Sequence, residues 1–452
     1  MLVSNTILLV IAKLFLLILL TSISSIESRI LSVITIVRHG ARTPKSFKKI
    51  VSKLYYGSIT SSLIVNGIRQ QQLLGKWMKN RYIKEYKLIT KKYNPDDSLF
   101  ISSPSQRAIF SASGFVQGLY EDYVTKPIFS IDKSNLKDDN KPPAVDFDMT
   151  DEWLNQDIPI YIKDSYNDHI FHPNDCKLTI NSEKTITEEL FLRKKLFPEF
   201  TQQEIVTIID DIKLQIPYLF SEYSPEKYYS MKFLKDLNIF LKQVEPMLIT
   251  KHQFSQSTLK ALRIMNIEKL YGFRIIESIG KKLSASGFFD EIIKNFDQVV
   301  NKEVRGNSID KKKFILFSGH DGNLFAILSN LFDTDYLTNM CLESQDNVDY
   351  YNMLVCPFAS SLIFELHSVE AAIDDNINKL NKTIEDYYVK IIYNGEEIKE
   401  GLNKALIHYE GLGGFEYSQF RNFLLSRTDM RYKLLYCNTN DDIDYTIPNN
   451  YK

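Results

Sequence analysis

Three apolar runs along the chain each break off into a turn rich in chemistry. Leu31 to Val37 is mostly apolar and β-branched, and it leads straight into Arg38-His39-Gly40-Ala41-Arg42-Thr43-Pro44. Ser98 to Ser103 ends in Pro104-Ser105-Gln106-Arg107. Lys313 to Ser318, apolar from Phe314 to Phe317, ends in Gly319-His320-Asp321-Gly322-Asn323. Short continuous apolar runs of this kind predict strands covered on both faces. Helical spacing follows each of them. Leu63 to Tyr86 sets Ile64, Ile68, Leu74, Trp77 and Met78 roughly on one face, and Ala108 to Tyr120 and Leu324 to Phe332 read as further helices. Thr258 to Asn301 is helical in pattern, and Pro357 to His367 and Tyr387 to Asn394 read as strands. The alternation predicts an α/β fold with a mostly parallel central sheet flanked by helices.

Between these parts the texture changes. Ile131 to Thr150 is polar and carries Pro142-Pro143, the mark of a linker. From there to about Ser257 charged, helix-prone segments prevail, with a capping-box pattern at Thr201 and Glu204 ahead of Ile205 to Leu214. At the other end, Ile7 to Leu20 is apolar but for Lys13, and Ser22-Ile23-Ser24 supplies small residues for cleavage. That pattern predicts a secretory signal over residues 1–24, the run being short for a membrane anchor. No second hydrophobic span follows, so a soluble mature chain is expected, without a stable membrane span.

Composition narrows the picture further. The chain has 452 residues, room for two domains or one large domain with an insertion, and a formal net charge of −1. The lack of a basic excess argues against a nucleic-acid partner. Four cysteines, Cys176, Cys341, Cys356 and Cys437, in an oxidising compartment point to two bridges with three pairings open. Cys341 and Cys356 are near enough in sequence to staple the loop between a helix and the next strand, leaving Cys176 with Cys437. No Cys-x-x-Cys pattern supports a zinc site. Asn381-Lys382-Thr383 is an N-glycosylation acceptor pattern.

The first turn is the candidate centre. Two guanidiniums beside an imidazole make an anion site, because planar charged forks match phosphate oxygens. They also disfavour the imidazolium, which leaves His39 neutral and nucleophilic. Gly40 allows close backbone approach and Pro44 stiffens the exit. Arg107 repeats the pattern at a helix start, where the helix terminus adds positive potential. Asp168-His169-x-x-His172-x-x-Asp175 holds metal-ligand residue types, but nothing else supports a metal there, and surface or carbonyl-bonded histidines are expected. His252, His367 and His408 stand alone.

Arg38 to Pro44 resembles the Arg-His-Gly-x-Arg-x-Pro signature of the histidine acid phosphatases, a branch of the phosphoglycerate mutase-like superfamily. Leu63 to Tyr82, the segment around Ser102, Arg107 and Ser111-Ala112, and the His320-Asp321 pair resemble its other segments. The likeness touches most of residues 31–395, strongly at the motifs and weakly between them. It implies an α/β core over 25–140 and 258–452 with an inserted helical cap over 141–257. It implies phosphate binding by Arg38, Arg42, Arg107 and His320, a phosphohistidine on His39, and Asp321 as proton donor. The activity implied is a metal-independent acid phosphatase acting on phosphate monoesters, with no cofactor, in a lysosomal or secreted setting. Some relatives are dimers, so a homodimer is open. A phytase or inositol-polyphosphate phosphatase of the same fold, a mutase, and a non-catalytic phosphate-binding protein are the competing readings. Signal and Asp321 both argue against the mutase. Gly411 to Leu425 has the shape of a family segment without its cysteine, so the family's bridges do not transfer.

Overall fold

The computed structural model describes residues 27–45, 47, 60–124, 158–162, 168–172, 197, 199–221, 224–248, 254–271, 279–305, 312–370, 383–409 and 413–428. The leader expected at 1–24, Pro142-Pro143, Asp175, Cys176, His252, Asn381 and Cys437 lie outside them.

One mixed sheet organises the described residues. Its strands are β1 (Glu27–Arg38), β2 (Ser98–Ser102), β3 (Tyr161–Ile162), β4 (Phe314–Gly319), β5 (Ser361–Glu370), β6 (Tyr387–Tyr393), β7 (Glu396–Glu397), β8 (His408–Tyr409) and β9 (Gly414–Glu416). Their order is β3-β2-β4-β1-β5-β6-β9-β8, with β7 beside β6. β3, β2, β4 and β1 run parallel. From β1 outward through β5, β6, β9 and β8 every pairing is antiparallel. The core strands are therefore parallel as expected, and the later strands turn the sheet mixed.

Alternating side chains divide the core between the two faces. Val33, Val37, Phe314 and Leu316 point to one side, where they meet Phe115 and Leu119. Phe115 and Leu119 come from helix α2 (Gln106–Leu119), which lies against α1 (Val65–Met78). Ile34, Ile36, Ile315 and Phe317 point to the other, against Phe288, Ile292 and Phe296. Those three belong to α6 (Ile279–Arg305). A separate apolar cluster joins α3 (Gln202–Gln215), α4 (Met231–Leu248) and α5 (Gln256–Tyr271), with Ile209, Leu234, Phe240 and Met265 at its heart and Phe47 inserted from the turn after β1. Each such buried side chain contributes about 1.5–3 kcal/mol. The capping box of α3 is present: Glu204 N donates to Thr201 Oγ1 at 3.3 Å and Thr201 N to Glu204 Oε2 at 2.7 Å.

Two expectations need correction. The inward face of α1 is Gly67, Gln71, Gly75 and Met78, whereas Trp77 is exposed and Ile64, Ile68 and Leu74 are only half-buried. The reason is backbone contact. A Cβ on Gly75 would lie 2.0 Å from the Phe115 carbonyl oxygen, and one on Gly118 2.0 Å from that of Gln72. The glycines, not the large side chains, form the packing face. Secondly, Cys341 and Cys356 are buried thiols, not a bridge. Cys341 lies on α8 (Thr334–Glu343), where apolar burial pushes its thiol up to about 12. Cys356 closes α9 (Val348–Val355), and its Sγ donates back to the Met353 carbonyl at 3.5 Å. Among the described residues, no helix is long and apolar enough to cross a membrane.

Candidate active site

Sheet register brings the three chemistry-bearing turns to one edge. Arg38 pairs with Gly319, and Ser102 with Ser318. The ladder extends one step further, His39 N donating to Gly319 O and Ser103 N to Ser318 O, both at 3.0 Å. This is the carboxyl end of the parallel strands, where α/β sheets present their ligand sites. α2 and α7 (Asp321–Leu331) both start here, so two helix N-termini face the same place.

His39 is buried, and its Nδ1 lies 2.8 Å from the Gly40 carbonyl oxygen. A carbonyl only accepts, so Nδ1 carries the proton and Nε2 keeps its lone pair. Burial holds the imidazole well below its ordinary pKa, with Arg38, His320 and Arg42 acting in the same direction against the Gly40 carbonyl. Beside it, burial and the Arg107 charge push His320 down to about 3, despite Asp321. His320 Nδ1 faces Arg107 Nη2 at 3.4 Å, and its Nε2 lies 3.1 Å from Ser103 Oγ. Guanidinium only donates, so Nδ1 accepts and Nε2–H donates. The two imidazoles meet edge to face, 5.6 Å apart.

Three guanidiniums surround this pair. Arg38 is buried, donates Nη1 to Cys356 O at 2.7 Å, and lies with Nη2 3.2 Å from Asp321 Oδ2. Arg42 donates Nη1 to Thr43 O at 2.9 Å. Burial, then the charges of Arg107 and Arg38, lower Arg42 to about 10. Arg107 is lowered by burial and by Arg38, against the pull of Asp321. The Nε atoms of Arg38 and Arg107 are buried without a hydrogen-bond acceptor. Like charges this close destabilise one another, and the Nε donors of Arg38 and Arg107 lack acceptors. A tetrahedral oxyanion answers both. All six residues singled out by sequence, Arg38, His39, Arg42, Arg107, His320 and Asp321, thus converge. Asp321 is the first residue of α7, with His320 in the N-cap position, and its Oδ1 accepts from Gly322 N at 3.0 Å.

The remaining neighbours were not legible as site residues. Gln71 Nε2 donates to Arg38 O at 2.8 Å, and Gln70 Oε1 accepts from Ala41 N at 2.8 Å. Ser111 Oγ accepts from Gly40 N at 2.9 Å. α1, read from sequence as scaffolding, therefore shapes the nucleophile's turn directly. Gly40 makes this possible, since a Cβ there would lie 2.2 Å from the Gly67 carbonyl oxygen. Phe358 lays its ring 4.2 Å from the Arg38 guanidinium carbon and 5.6 Å from the His39 ring. Gln70, inside the family-like helix, and Ser111, in the family-like segment after Arg107, carried a signal in the sequence.

Comparison with known proteins agrees with this geometry. Residues 29–394 match the model of the histidine phosphatase superfamily, branch 2. A probable acid phosphatase of Dictyostelium discoideum is 24% identical over 389 residues, covering 81% of this chain and 71% of that one. The phytase of Citrobacter braakii superposes with a TM-score of 0.54 at 13% identity, covering 89% of this chain and 98% of that one. The Bifidobacterium longum multiple inositol polyphosphate phosphatase, in complex with inositol hexasulfate, gives 0.53 at 11% identity, covering 89% and 94%. At such identities the solved structures speak for the fold alone. The family match spans most of the chain and contains all six converging residues: the protein belongs to the histidine phosphatase superfamily, branch 2.

Proposed function

We propose that the protein is an acid phosphatase that hydrolyses phosphate monoesters through a phosphohistidine on His39. One observation carries the reading: a neutral, buried imidazole with Nδ1 tied to Gly40 O sits among three guanidiniums. The phosphate oxygens take the donors of Arg38, Arg42 and Arg107, and the Nε2–H of His320 once it turns from Ser103 Oγ. His39 Nε2 attacks phosphorus in line, the ester P–O bond breaks, and the leaving oxygen takes a proton from Asp321. Water then attacks the phosphohistidine and returns a proton to Asp321, freeing His39 and inorganic phosphate. The guanidiniums stabilise the equatorial oxygens, so the mechanism needs no metal. A depressed His39 keeps the nucleophile competent in acid, in keeping with the leader expected at 1–24 and a lysosomal or secreted destination.

The test is hydrolysis of p-nitrophenyl phosphate from pH 4 to 8 with chelator present. Native activity should peak in acid and survive chelation, and His39→Ala should lower kcat by at least ~10⁴-fold. Activity that vanishes on chelation would sink the mechanism, and phosphate binding without turnover would favour a binding protein. The second reading, an inositol-polyphosphate phosphatase, draws on the solved neighbours, a phytase and a multiple inositol polyphosphate phosphatase. A kcat/KM for inositol hexakisphosphate well above that for glycerol phosphate would select it.

A further inference from the structure

The Asp168-His169-x-x-His172 motif, set aside as a metal candidate, has a different use. Asp168 is buried, and its Oδ1 accepts from both Ile170 N and Phe171 N at 2.9 Å. Its Oδ2 accepts from His172 Nδ1 at 3.1 Å. The carbonyls of the same two residues are held from the other side. Asn323 Nδ2 donates to Ile170 O at 3.1 Å and to Phe171 O at 3.0 Å. Asn323 is itself buried, and its Oδ1 accepts from His320 N at 3.0 Å. Two residues are thus gripped at both N–H and C=O, between Asp168 and the turn that carries His320 and Asp321. The strut is also wedged. A Cβ on Gly287 of α6 would lie 2.4 Å from His169 O, and one on Gly319 would lie 2.9 Å from both the Phe171 ring and Asn323 Oδ1.

We propose that Asp168 and Asn323 are positioning residues, which hold the start of α7 so that Asp321 meets the leaving oxygen of the ester. The proposal rests on the phosphatase reading above. Asp321 side chain is 36% exposed, so buried packing does little to fix where its carboxyl points. The helix start that carries it is fixed instead, through His320 N, Asn323 and the strut. Asp321 also takes the proton of the attacking water, a step common to both esters. Misplacing it therefore separates them only in the transfer to His39, which kcat/KM reports alone and in which the leaving oxygen needs a proton. A nitrophenolate departs unaided, whereas an alkoxide does not.

The experiment compares p-nitrophenyl phosphate with glycerol 2-phosphate for native enzyme, Asp168→Asn and Asn323→Ala, at the native optimum. Circular dichroism confirms that each variant is folded. Asp168→Asn keeps the shape and an acceptor oxygen, which guards against a variant that fails to fold. We expect kcat/KM on glycerol 2-phosphate to fall about 10–100-fold, the scale of an ångström-sized misplacement. On the aryl ester kcat/KM should change less than about threefold. The alkaline limb of the glycerol 2-phosphate kcat/KM profile, which a protonated donor sets, should flatten in both variants. Equal losses of kcat/KM on the two esters would overturn the positioning role while leaving the phosphatase reading intact. A native enzyme that hydrolyses neither ester would overturn both.

Discussion

Among the described residues, two places bring arginine, histidine and a carboxylate together, and they differ in how the charges are met. On the far side of β5 from the site's chemistry, Glu365 is fully buried. It takes Arg81 bidentately at 2.6 and 3.0 Å, Tyr82 Oη at 2.6 Å and His367 Nε2 at 3.0 Å. Burial pushes the Glu365 carboxyl up, but the bonds from His367 and Arg81 outweigh it and hold it at about 2. One cation meets one anion, and both are hydrogen-bonded. At the edge where His39 lies, the described carboxylate that acts on Arg38, Arg42 and Arg107 is Asp321, and Arg42 and Arg107 are lowered by burial and by neighbouring guanidiniums. The residue types are the same. What separates a structural cluster from a binding site is charge left uncompensated and donors left without acceptors.

Replacing Glu365 by Gln breaks this comparison hardest. It leaves Arg81 half-buried without its anion, so chemical denaturation should show a loss of about 3–5 kcal/mol. Activity per folded molecule should stay near native. A large fall in kcat with stability intact would show that the two clusters are not independent. Inorganic phosphate should act in the opposite place. At one hundred times its Kd it should add about 2.7 kcal/mol to native stability, and lose most of that gain in Arg42→Ala. A gain unaltered by Arg42→Ala would place the anion elsewhere.

The smallest effect, and the one that separates the two regions best, is the pH dependence of stability. His39, His320 and His367 are all depressed in the folded state, so the unfolded chain takes up their protons first. Their contribution is therefore complete above the ordinary histidine pKa and drains away as pH falls below it, for His320 down to about 3. Glu365 is a depressed carboxylate. Its contribution is complete above the ordinary glutamate value and is lost as pH falls toward about 2. Thermal melts should thus decline in two stages on acidification. Phosphate should soften the first, histidine stage, and Glu365→Gln should erase part of the second. A single stage indifferent to phosphate would contradict the assignment.

The catalytic turns were legible because each is contiguous: a strand, then the reactive side chains within a few residues. The helix face of α1 was not, because hydropathy rewards Ile64, Leu74 and Trp77 whereas backbone contact selects Gly67 and Gly75. Strand direction was equally hidden. β5 and β6 read correctly as strands, but an apolar run carries no sign of parallel or antiparallel pairing, and both proved antiparallel. α8 and α9 escaped, their short apolar spacings falling below a convincing helical period. His367 looked isolated because its partners Glu365 and Tyr388 meet it only across the pleat and the neighbouring strand. Cys356 O and Phe358, which grip Arg38, are remote in sequence and have no motif of their own.

The central position of β1 sets a schedule for biosynthesis. It is the first strand made, yet its neighbours in the sheet are β4 and β5. The bond from Ser32 to Lys312 closes over 280 residues. At ordinary ribosomal speeds that is a wait of about 15–60 s, during which a β-branched apolar edge has no partner strand. The same delay postpones activity. Arg38 and His39 cannot meet His320 and Asp321 before those two have been synthesised, so the site stays incomplete for most of the chain's synthesis.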